Sequence, residues 1–207
     1  MIADAQSARD DLAYLKSLVG DDEALDTRAL GEGYFVSGLI YGGQMLLQAA
    51  QALGWIPQSP LLGLLIGLGP TVLFIPAIVF VVWRNKRNRK TGVIGRAIGA
   101  VFGAIGVANI FLALVIGMIA LREKSLSTWL IFPCCVFVLQ GAAWLFTYAM
   151  RRRAWFLFIA AGWLGFAIAM ALSVTSTGYY VLFGGAGLWL CLALPGWIMM
   201  RHARQTA

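Results

Sequence analysis

Apolar residues fall into six long stretches, and polar residues collect between them. The stretches run approximately from Tyr34 to Gly54, Leu61 to Trp83, Ala97 to Leu121, Thr128 to Met150, Ala154 to Val174 and Tyr179 to Met200. A helix needs about 20 mostly apolar residues to cross a hydrocarbon core of roughly 30 Å. None of the six has Asp, Glu, Lys, Arg or His in its interior. The pattern predicts an all-α membrane protein, a six-transmembrane-helix bundle, with an acidic tail over 1–33, a membrane domain over 34–201 and a short basic tail over 202–207.

The connectors orient the bundle. The first, Trp55 to Pro60, is uncharged and holds two prolines. The fifth, around Ser176, Thr177 and Gly178, is also uncharged. The second runs Arg84-Asn-Lys-Arg-Asn-Arg-Lys90 and is followed by Arg96, and the fourth is Arg151-Arg152-Arg153. The third holds Arg122, Glu123 and Lys124. Six helices place fourteen of the sixteen Lys and Arg residues on the side of the two termini. Short Lys- and Arg-rich loops stay in the cytoplasm, so both termini are expected inside, in a bacterial inner (plasma) membrane. Trp55, Trp129, Tyr179 and Tyr180 are expected at the outer boundary, and Tyr34, Trp83, Trp155 and Trp197 at the inner one, as aromatic belts.

Composition narrows the picture further. Of 207 residues, 60% are hydrophobic and 12% charged, and the mean hydropathy is +0.80. The net charge of +7 sits in loops between apolar stretches, which fits the positive-inside rule and gives no reason to expect nucleic acid. The bilayer itself is the expected partner. Cys134, Cys135 and Cys191 lie in apolar stretches without metal-ligand spacing, and His202 is the only histidine. No cofactor or metal is expected. Whether the Cys134-Cys135 pair responds to oxidation is left open.

Without a hydrophobic effect between inserted helices, close backbone approach and interhelical hydrogen bonds hold a bundle together. The odd-numbered helices carry small residues four apart: Gly38 and Gly42, then Gly95, Gly99 and Gly103, then Ala161, Gly165 and Ala169. Gly38, Gly99 and Ala161 are 61 and 62 residues apart, which is consistent with three helical hairpins of similar design. The Gly95 to Gly103 face is expected to accept another helix, of the same chain first and of a second copy as the alternative. Pro70 and Pro76 predict a kink in the second helix, its freed carbonyls satisfied by neighbours.

One polar pattern stands out. Tyr34, Ser37, Tyr41, Gln44, Gln48 and Gln51 follow a 3-4 spacing that places them on one helix face. A side-chain amide in hydrocarbon is costly unless hydrogen-bonded, so this stripe is expected to face inward, with Asn109 and Gln140 as partners and Thr71 and Thr147 as weaker ones. A polar seam fixing helix register and a midplane site for a small polar or amphipathic solute both fit.

Enzymatic function is not expected. No nucleophile has a base beside it, and no hydrolase, metalloprotease or phosphate-loop motif is present. With no intramembrane charge, proton-coupled transport is not expected either. In the tail, Ser7-x-x-Asp10 starts a helical pattern in which Leu12, Leu15 and Val19 share a face. Eight acidic residues against three basic ones give residues 1–33 a charge of −5, which disfavours anionic lipid. That face docks either on the chain's own basic loops or on a separate protein. The sequence thus points to a non-catalytic membrane subunit that binds partner proteins, with a small permease-like or substrate-capturing component as the alternative. It leaves the oligomeric state open.

Overall fold

The computed structural model describes residues 28, 30–86 and 93–205. The predicted tail face of Leu12, Leu15 and Val19 and most of the second loop lie outside them. Helix α1 covers residues 30–52. It is followed by α2 (Pro60–Lys86), α3 (Val93–Glu123), a short α4 (Leu126–Trp129), α5 (Ile131–Arg151), α6 (Ala154–Leu172), α7 (Thr177–Leu188) and α8 (Leu194–Gln205). A π-helical turn, Trp189–Ala193, joins α7 to α8 without a break.

Five helical stretches are long and apolar enough to cross a membrane: α2, α3, α4 with α5, α6, and α7 through α8. That is the make-up of a multi-pass membrane protein. Helix α1 is long enough, at 1.5 Å per residue, but less apolar than the others. Gln44, Gln48, Gln51 and Glu32 lie within it.

Two boundaries differ from the sequence pattern for identifiable reasons. The fourth stretch is not one helix: α4 ends and α5 begins at Leu130. Pro133 offers no N–H to the carbonyl of Trp129 four residues back, so the regular ladder cannot run through this corner. Helix α1 begins before Tyr34, which draws Glu32 out of the predicted soluble tail and into a helix, where it is 7% exposed.

The last span and α1 form an antiparallel pair with almost no side chain between their backbones. A Cβ on Gly31 would lie 2.8 Å from the Gly196 carbonyl, and one on Gly38 would strike the backbone of Ala193. Gly42 meets the Trp189 ring, Gly185 meets Leu46, and Gly178 meets Leu53. Contacts at both ends of α1 show that the described chain starts and finishes at the same end of the bundle. Leu30, Arg151 and Met199 line one cavity there, and Arg84 reaches Glu32, so this is the basic end.

Trp144 is the keystone of the core at the basic end. It is 1% exposed, stacks on Phe156 at 5.6 Å and meets Tyr34 at 5.3 Å and Phe102 at 5.5 Å. Trp155 packs on Phe156 at 4.2 Å. Four helices therefore converge on one aromatic cluster. Tyr34 and Trp155, expected at the inner boundary, are half-buried in this cluster at the basic end, and Tyr180, expected at the outer boundary, is buried. Trp55 and Trp83 remain exposed.

Helices α2 and α3 stand at the periphery. Among the described residues α3 packs on α4 and α5, whereas α2 has no extensive contact with any helix from α3 onward. It leans on α1 instead, through Ile78 against Gly33 and Phe74 against Tyr41.

Candidate intramembrane polar site

The polar face of α1 is the natural place to start, because its amides need partners. Gln44 finds one: its Nε2–H donates to the Gly67 carbonyl of α2 at 3.2 Å. Gly67 is three residues before Pro70, in the turn where the proline ring disturbs the helix ladder. The bond ties α1 to α2 beside Ile66, whose carbonyl is the one that Pro70 leaves without its helical donor. Tyr41 lies beside it, its ring 4.9 Å from Phe74. Ser37 turns back on its own helix and donates to the Gly33 carbonyl at 2.7 Å.

The expected ring of amides does not form. Gln48 and Gln51 are half-buried, and neither side chain hydrogen-bonds to Asn109 or Gln140. The Asn109 Oδ1 and Gln140 Oε1 atoms are buried without a hydrogen-bond partner among the described residues. Helices α3 and α5 run antiparallel, with Phe102 against Trp144 and Gly117 against Trp129. That register puts Asn109 and Gln140 within about one helical turn of the same depth. Thr71 is exposed, and Thr147 bonds its own helix at the Ala143 carbonyl, 2.9 Å away.

The packing glycines divide into two groups. Gly38 and Gly42 are sealed by the last span. Gly99, Gly103 and Gly106 are open: a Cβ on any of them meets nothing within 4 Å among the described residues. Gly165 is open in the same way, and Gly95 is half-buried. The expectation that another helix of the same chain closes on the Gly95 to Gly103 face is therefore corrected. The buried face of α3 is the one carrying Ile98, Phe102 and Asn109, about a quarter turn away.

Three polar contacts were not anticipated from sequence. Trp163 Nε1–H donates to the Cys191 carbonyl at 3.1 Å. In α-helical register the donor to that carbonyl is residue 195, which is Pro195 and has no N–H. The indole replaces the missing donor beside the π turn. Tyr180 donates to the Leu130 carbonyl at 2.6 Å, at the α4–α5 corner, with Cys134 Sγ 3.6 Å from the same hydroxyl. At the basic end, buried Glu32 pairs with Arg84 of α2 and, at 3.3 Å, with Arg28. The only sequence signals for these were the prolines and the single acid beside the first apolar stretch.

Among the described residues no three His, Cys, Asp or Glu side chains gather as a metal site. Compared with family models, curated proteins and solved structures, the chain matches none.

Proposed function

We propose that the protein is a non-catalytic subunit of a bacterial inner membrane, with six spans and both termini cytoplasmic, that binds partner proteins. The observation that supports this reading best is the open glycine face of α3. Within one chain, Gly38 and Gly42 show what such a face looks like when a helix fills it. Gly99, Gly103 and Gly106 have the same make-up and no occupant among the described residues. Small residues give lipid tails little to pack against, whereas they let a second backbone approach closely. The acidic tail and the basic loops add a cytoplasmic docking surface of mixed charge.

Single-cysteine variants at Ala100 and Ala104, exposed beside this face on the side away from Ile98 and Phe102, test the reading. Thiol cross-linking in native membranes should trap a discrete adduct from these positions, and an equally exposed cysteine at Val79 of α2 should not. Equal labelling by lipid-soluble maleimide at all three, with no adduct, would count against it.

A permease-like or substrate-capturing role is the second reading. Asn109 and Gln140, buried with unpartnered oxygens, favour it, since a hydrogen-bond donor on a solute would satisfy both. Under that reading Gln48→Leu impairs function and changes to Leu12, Leu15 and Val19 do not. The subunit reading predicts the reverse.

A further inference from the structure

The basic end of the bundle surrounds the point where the acidic tail joins it. Leu30 of α1, Ile98 of α3, Arg151 of α5, Phe156 of α6 and Met199 of α8 line one small cavity there. Close to that lining in sequence, Arg96, Arg152 and Arg201 are exposed, so α3, the α5–α6 corner and α8 each bring a cation to the same end. Arg152 ends α5 in the left-handed conformation, at φ 52°, where glycine or asparagine is the usual choice. From Gly33 onward the sequence has a single acid, Glu123, and it closes the far end of α3. No later part of the chain can therefore neutralise these arginines. Glu32, the last acid of the tail, is already seated among cations: it reaches Arg84 and pairs with Arg28 at 3.3 Å.

We propose that the chain's own tail segment 21–26 docks on this ring of arginines, with Asp21, Asp22, Glu23 and Asp26 continuing the ion pairing that Glu32 begins. Reach is sufficient. Asp26 stands four residues before Leu30 and Asp21 nine, an extended chain covers about 3.3–3.6 Å per residue, and packed helices lie about 8–10 Å apart. The tether holds the four acids at a high effective concentration over the ring. Charge favours the same occupant. Residues 1–33 carry a net charge of −5, which an anionic leaflet repels and the arginines attract. Lipid headgroups are the competing occupant, and they lack the tether. The docked segment covers the basic end of the bundle, and salt releases it, because exposed charges are screened. The inference needs only that tail and arginines share one end, so it holds whether or not a partner binds α3.

The test is cross-linking of the full chain in phosphatidylcholine nanodiscs. Ala24→Cys in the tail is paired with Ala154→Cys, exposed beside Arg153 at the start of α6, and the two thiols are joined by a short water-soluble bismaleimide. Each single variant controls for the native cysteines, and peptide mass identifies the link. The proposal expects an intramolecular 24–154 link. Its rate should fall at least about threefold in 1 M salt, where the screening length is about 3 Å. It should fall equally when Asp21→Asn, Asp22→Asn, Glu23→Gln and Asp26→Asn are combined, and when Arg152→Gln and Arg201→Gln are combined. An unchanged unfolding midpoint certifies the fold of each variant. The link should persist in phosphatidylglycerol-rich bilayers. A link indifferent to salt and to both sets of neutralisations would reflect the tether alone and overturn the proposal. So would the absence of a link, a link found only between two copies, or its loss in phosphatidylglycerol, which would make lipid headgroups the occupant.

Discussion

Trp163 offers the sharpest quantitative test of how the last span is held. Replacing it by Phe keeps an aromatic ring against Phe137, 4.7 Å away, but removes the donor to the Cys191 carbonyl. An interhelical hydrogen bond in a membrane protein averages about 0.6 kcal/mol and reaches about 1.7. Stranding a buried acceptor adds on the order of 1 kcal/mol. Trp163→Phe should therefore cost about 1.5–3 kcal/mol, including some lost ring contact. The diagnostic quantity is the coupling with Pro195. Pro195→Ala restores an N–H four residues after Cys191, so the carbonyl no longer depends on the indole. The cost of Trp163→Phe should fall by about 1 kcal/mol in the Pro195→Ala background. The assay is a double-mutant cycle on denaturant unfolding in mixed micelles, followed by far-UV circular dichroism. Additivity within about 0.3 kcal/mol, the behaviour of independent sites, would refute the claim that indole and proline form one device.

Three further predictions follow from the same packing. Gly38→Leu should destabilise the fold by about 2 kcal/mol or more, because the added atoms meet the Ala193 backbone. Gly99→Leu should change stability by less than about 0.5 kcal/mol, and comparable losses at both sites in unfolding would contradict the two-group division. Glu32→Ala should cost only about 1 kcal/mol, since both arginines are about half exposed. It should nonetheless speed tryptic cleavage after Arg84, and an unchanged cleavage rate would mean the ion pair does not hold α2. Gln44→Leu should cost about 0.6 kcal/mol by loss of its bond to Gly67, and a thermal shift no larger than that of Gln48→Leu would deny the bond a role.

The number and placement of helices were largely legible in the sequence, because twenty-residue apolar runs have few alternatives in a bilayer. The grouping of the charges at one end was legible too, and the pairs Glu32–Arg84 and Gly31–Gly196 show its geometry. Partner choice was not legible. Periodicity placed Gln44 on the polar face but could not say that its acceptor would be the backbone of Gly67. Small-residue spacing marked Gly38 and Gly99 alike, yet one is sealed and the other open, since spacing carries no information about which helices become neighbours. Glu32 was read as tail because hydropathy windows place a boundary where charge appears. In fact an arginine from the next helix reaches it at the interface. The Trp163–Cys191 bond was within reach of an argument from Pro195, which by itself announces a carbonyl in need of a donor.

The central claim, a membrane subunit with an outward-facing docking surface, is tested most directly by native mass spectrometry of the full chain, released from its own membrane by mild detergent. The account predicts a second polypeptide in stoichiometric amount, retained by the wild type and lost in Gly99→Leu and Gly103→Leu variants that unfold normally. A lone chain or a homo-oligomer carrying one reproducible small-molecule mass, unchanged by those substitutions, would contradict it and make Asn109 and Gln140 the first residues of a solute site.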